Sequence, residues 1–71
     1  MNDFIKKQNG LIRLEQELKA KTLNLLREIL RTHPTECKSL LLNLEIDWND
    51  DFNKYPQSEL YSIIFYLLNH L

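Results

Sequence analysis

Leu11, Leu14, Leu18, Thr22, Leu25 and Ile29 recur at intervals of 3, 4, 4, 3 and 4 residues. Side chains at that rhythm share a face only when the backbone winds at 3.6 residues per turn, so the stretch is a helix. At 100° per residue the six positions fall within about 80° of the circumference. That is the seam of one helix meeting one other, with a single polar member at Thr22. Leu23, Leu26 and Leu30 widen the apolar arc to about 180° toward the C-terminal end, whereas the first turns add only Ile12. The wide half is shaped to lie under other elements of its own chain, and the narrow half to meet a single helix. The expected helix covers residues 11–32, about 33 Å at 1.5 Å per residue. Gly10, the only glycine, is expected to separate it from a short basic lead over residues 1–10 that frays.

The run THPTE ends this helix, because Pro34 disfavours the helical conformation at His33 and is itself suited to a first helical turn. A second, short helix follows over residues 35–44, with Cys37, Leu40, Leu41 and Leu44 on one face and Leu42 pointing elsewhere. A third starts near Pro56 or Ser58 and runs to Leu71. Leu60, Ile63, Ile64, Leu67, Leu68 and Leu71 form its stripe, and Tyr61 and Phe65 widen it to about 200°. So broad an arc requires cover on two sides, and the terminal Leu71 is expected to dock. A strand over SIIFYLL is the weaker reading, since the period is 3.6 and no partner strand exists.

Between the second and third helices lies DWNDDFNKYP, three acids and three large aromatics. Asp47, Asn49 and Asp51 match the first ligand positions of a calcium loop, but Phe52 stands where the sharp turn needs glycine and Ser58 where the bidentate glutamate belongs. A calcium site is therefore not expected. As local structure, Asp47 caps a two-turn amphipathic helix that places Trp48, Phe52 and Tyr55 on one face, plugging the leucine core. As an interaction surface, Trp48, Asp50, Asp51, Phe52 and Tyr55 form an aromatic patch with an acidic rim, suited to a basic protein partner.

With 71 residues the chain is one helical domain, residues 1–71, and buries only about 60% of the surface its unfolded form exposes. Chains of this size need a staple or a partner. Cys37 is the sole cysteine, so no disulfide forms within the chain, and a lone thiol suits a reducing compartment. The expectation is an all-α fold: a small bundle of three helices plus a short fourth helical turn, completed by dimerisation. Leu11, Leu14 and Leu18 on the overhanging first helix are the expected homodimer seam.

Several kinds of chemistry are disfavoured. One glycine cannot build a phosphate loop. His33, Cys37 and His70 are too few and too scattered for zinc. The carboxylates lack a cleft, so neither catalysis nor a cofactor is expected. No apolar run reaches the roughly 20 residues a bilayer demands, and MNDFIKKQNG lacks a signal-peptide core; a cytoplasmic protein is expected. Charge is uneven: residues 1–33 hold seven basic and four acidic side chains, residues 34–71 two basic and six acidic. The alternative to protein binding is a nucleic-acid-binding helical dimer using Lys19, Lys21, Arg27 and Arg31 on the first helix. These alternate with Glu15, Glu17 and Glu28, as on an ordinary solvated face, which makes nucleic acid the lesser expectation. The reading is a non-catalytic adaptor, regulator or inhibitor that self-associates and binds a protein.

Overall fold

The computed structural model describes the chain from residue 2 to residue 71, with side chains from residue 10 onward. Three helices are joined by short connections: α1 (Asn2–Thr32), α2 (Pro34–Asn43) and α3 (Gln57–His70), with a single 3-10 turn (Phe52–Lys54) before the last. No strand occurs among the described residues, and SIIFYLL lies within α3.

The helix α1 is longer than its leucine pattern implies, continuing through Gly10 to Asn2. Glycine in a helix interior costs about 1 kcal/mol relative to alanine, too little to stop a helix that is already propagating. Nothing approaches within 4 Å of the position a Cβ would take at Gly10, so no neighbouring element requires the glycine.

At the other end, the His33 N–H still reaches the Ile29 carbonyl at 3.0 Å, and the chain then turns with Pro34 in the first position of α2. The end of α2 is a Schellman closure: Glu45 N–H meets the Leu42 carbonyl at 2.9 Å and Ile46 N–H the Leu41 carbonyl at 2.9 Å. Glu45 takes the left-handed φ of 60° that this closure needs and that glycine would adopt without strain. Ile46 folds back onto the core as the apolar contact of the motif.

Gln57 at the start of α3 reaches Thr22, midway along α1, donating from Nε2 to the threonine hydroxyl at 2.6 Å. Thr22 is buried and its own hydroxyl donates to the Leu18 carbonyl at 2.7 Å. Leu60, Ile63, Ile64 and Leu67 are buried, while Leu11, Leu14 and Leu18 are not, so α3 runs beside the C-terminal half of α1 in the same direction. The core is Leu23, Leu26, Ile29 and Leu30 of α1, Cys37 and Leu41 of α2, Phe52 and the inner face of α3. About 30 Å of α1 overhangs this bundle at 1.5 Å per residue. The described chain is accordingly a rod, 51 × 20 × 20 Å.

Two expectations need correction. The segment after α2 is not a two-turn helix capped by Asp47. Asp47 instead forms a tight turn, its carbonyl accepting from Asp50 N–H and its carboxylate from Asn49 N–H, and Asp51 caps the 3-10 turn by accepting from Asn53 N–H. Asp and Asn side chains offer the backbone these local bonds in place of helical ones. Nor is α3 covered on two sides: Tyr61, Phe65, Leu68 and Leu71 are exposed, because α1, α2 and the turn over Phe52–Lys54 pack against only one side of the arc.

Candidate functional site

The aromatic-acidic segment divides between core and surface. Phe52 is 5% exposed and belongs to the core, so it offers no contact area. Trp48 and Tyr55 are half-buried against the same cluster. The Lys38 ammonium stands 5.2 Å from the Trp48 ring centre and that of Lys54 5.3 Å from the Tyr55 ring, each capping a ring with charge. Phe52 and Tyr55 pack with centroids 6.1 Å apart.

The acids of this segment are occupied with one another and with the backbone. Asp50 accepts from the Tyr55 hydroxyl at 2.8 Å and from Asp51 N–H at 2.9 Å, and pairs with Lys54 at 2.9 Å. The Lys54 and Tyr55 hydrogen bonds hold its carboxyl below the usual carboxylate range. The same bond raises the Tyr55 hydroxyl, since losing that proton would set two negative groups side by side. Asp51 accepts from Asn53 N–H at the cap yet stays exposed, and with Asp47, Asn49 and Asn53 it forms the rim. A shallow groove separates this segment from α1, with Arg27, Leu30 and Arg31 on one wall and Trp48, Asp50 and Phe52 on the other. Arg31 is engaged by Glu28, three residues earlier on α1.

Cys37 is fully buried, its Sγ 3.7 Å from the Ile29 carbonyl, and burial pushes the thiol up. His33 lies exposed at the cap of α2, and His70 near the end of α3 contacts the Tyr66 carbonyl and ring. Among the described residues no three His, Cys, Asp or Glu side chains cluster closely enough to hold a metal. No helix of the described residues is long and apolar enough to cross a membrane. On the α1 wheel, Lys19, Lys21, Arg27 and Arg31 spread over about 200°, so no single face gathers them.

The most conspicuous surface is apolar. Leu11, Leu14 and Leu18 are 60, 62 and 47% exposed, and Leu25 continues them at 51%. These four lie within about 60° on the α1 wheel, adjacent to Thr22, where α3 makes contact. Arg27, Leu30 and Arg31, which face the aromatic segment, lie on the opposite flank. On α3, Tyr61, Phe65 and Leu68 lie next to Gln57, the residue that meets Thr22. Glu59, Ser62 and Tyr66 turn the other way, toward Ile46 and Tyr55. Both stripes therefore border the same outer seam between α1 and α3. On the helical wheels they lie on the same side of the molecule, one starting on the overhang and the other running along α3.

Sequence reasoning singled out Leu11, Leu14 and Leu18 but assigned Tyr61, Phe65 and Leu68 to a covered flank. The signal was available in the arc width of α3, set against the small number of elements left to cover it. No known protein family, curated protein or solved structure matches the chain.

Proposed function

We propose that this chain is a non-catalytic protein–protein interaction module that works by helix packing through the α1–α3 face. The observation that carries the reading is the pair of exposed apolar stripes on that face. Monomeric proteins rarely leave contiguous apolar patches larger than a few hundred Å² uncovered, and larger ones mark interaction sites. The side chains in it are those that dominate helix-in-groove recognition, leucines and aromatics at helical spacing. The aromatic-acidic segment has a supporting role here: Phe52 and Trp48 close the core, and Asp47 and Asp51 add an acidic rim that would favour a basic contact.

The test is a pair of charge insertions, Leu14→Lys and Phe65→Lys, in the full chain. Both sites are exposed, so circular dichroism of dilute protein should show unchanged helix content and melting temperature. Every macromolecular contact the native chain makes should weaken, whether read by sedimentation or by retention of host proteins on a column. Variants that keep all those contacts would refute the reading. Trp48→Ala separates the two surfaces. It should lower the melting temperature, and a variant that instead stays as stable while losing its contacts would move the working surface to residues 47–55.

A further inference from the structure

The overhang and the flank of α3 are complementary to each other, yet one chain cannot bring them together, because they lie at different heights along the same rod. We infer that the occupant of the α1–α3 face is a second copy of this chain, laid antiparallel, so that each overhang fills the seam of the other. The inference rests on the interaction-module reading and specifies its partner.

Height along α1 sets the register. The exposed stripe runs from Leu11 to Leu25, with Leu18 at its midpoint. A two-fold axis near Leu18 puts Leu11 of one copy level with Leu25 of the other, sets Leu18 against its own counterpart and brings Leu14 level with Thr22. The same axis carries the first turns of α1 past Tyr61 and on toward Phe65 and Leu68, since Gln57 marks α3 as starting level with Thr22. The head of each molecule then sits beside the overhang of its partner, where no other element competes for space. Such a contact is isologous: both copies use the same patch.

Area agrees with this occupant. Seven leucine, tyrosine and phenylalanine side chains left between 40 and 64% exposed offer, together with the backbone and polar groups around them, surface on the order of the 800 Å² per partner of a standard interface.

Charge decides the direction. Lys21 and Glu28 continue the spacing of the stripe, seven and fourteen residues beyond Leu14, and Glu28 is already engaged by Arg31. Parallel copies in register would set Lys21 against Lys21, and like charges held together oppose association. Antiparallel copies set Lys21 within a turn of Glu17 of the other copy, which lies on the same flank of the stripe on the α1 wheel. Lys21 then meets an opposite sign rather than its own.

Cross-linking tests both partner and direction. Leu11→Cys and Leu25→Cys are made separately in a Cys37→Ala chain, whose fold is first checked by circular dichroism; both new thiols are at exposed positions. Oxidised glutathione is then added to each alone and to their mixture. The mixture should give a disulfide-linked pair of the two different chains, with self-linked pairs a minor product. Self-linked pairs in excess would establish parallel packing and overturn the inference. Independently, Lys21→Glu should lower the dimer fraction in sedimentation equilibrium, and adding Glu17→Lys should restore it. No restoration would also count against the antiparallel register. A native chain that stays monomeric over the whole dilution series overturns the second-copy occupant. If that monomer still binds another protein, and Phe65→Lys abolishes the binding, the module reading survives; if nothing depends on the face, both fall.

Discussion

Thr22 divides α1 into two stretches written in the same leucine rhythm. Before it, Leu11, Leu14 and Leu18 stand exposed; after it, Leu23, Leu26, Ile29 and Leu30 are buried. The helix itself is continuous across the boundary. What changes is the breadth of the apolar arc. One seam with Ile12 beside it can be covered by one neighbour, whereas half a circumference needs two, and α2, α3 and Phe52 provide them. Leu25 makes the point from the other side. It lies beyond Thr22 in sequence, yet it faces the outer seam and stays half-exposed with the overhang leucines. Rhythm determines that a helix forms, and arc width determines how many partners the helix requires.

The largest test of that division compares Leu26→Ala with Leu14→Ala. Leu26 is fully buried, and its truncation should cost about 2–5 kcal/mol, while Phe52→Ala should cost about 3–5 kcal/mol. A domain this small has little stability to spare, so both should be largely unfolded in urea titrations where the native chain is folded. Leu14→Ala should stay within about 0.5 kcal/mol of the native chain when measured at high dilution. Equal losses at Leu14 and Leu26 would break the comparison. A Leu14→Ala deficit that grows with protein concentration would sharpen it, because it would locate the role of Leu14 in association.

Next in size is the boundary itself. Thr22→Val keeps the shape of the side chain but removes the acceptor of the Gln57 amide, leaving a partly buried donor without a partner. The expected loss is about 1–3 kcal/mol. Replacing both, Thr22→Val with Gln57→Leu, should recover most of it, and the double-mutant cycle reads the coupling directly. Additive losses would mean that the bond does not anchor the start of α3.

Much of the fold was legible because the signals were local. Pro34 and Pro56 mark the breaks between helices, and the 3.6-residue period of residues 60–71 excluded a strand. The segment over residues 47–55 was misread for a physical reason. Aromatics at i, i+4 and i+7 are compatible with helix, but Asp47 and Asp51 capture nearby N–H groups and settle the chain in two tight turns. The Thr22–Gln57 bond joins residues 35 apart, and nothing in either neighbourhood announces it. The exposed flank of α3 was half-legible, since its width is written in Tyr61 and Phe65. Whether cover exists depends on the count of remaining elements, a property of the whole chain.

A smaller effect probes the overhang alone. Gly10→Ala should stabilise the helical state of the N-terminal turns by about 0.5–1 kcal/mol, because the added Cβ meets open space. Helix signal in the dilute chain should rise while the urea midpoint of the bundle hardly moves. A shifted midpoint would show that the overhang and the bundle unfold as one unit, and the division at Thr22 would then be one of exposure only.

The smallest expected effect is electrostatic and belongs to the buried half. Asp50 accepts hydrogen bonds from Lys54 and from the Tyr55 hydroxyl, and its folded pKa is lowered by them. A lowered folded value means that ionised Asp50 favours the folded chain. That contribution is complete above the unfolded value, about 3.9, and is lost as pH falls through the lower folded value. Melting temperature against pH should therefore show Asp50→Asn below the native chain near neutrality, with the gap closing at acid pH. Tyr55→Phe should narrow the same gap by removing one donor. Because the Lys54 side of the pair is exposed, solvent screens the pairing and keeps the effect slight. A gap that persists unchanged below the carboxylate range would mean that Asp50 holds residues 50–55 against the core by shape rather than charge. The plug over Leu30 would then owe its position to Phe52 and Trp48 alone.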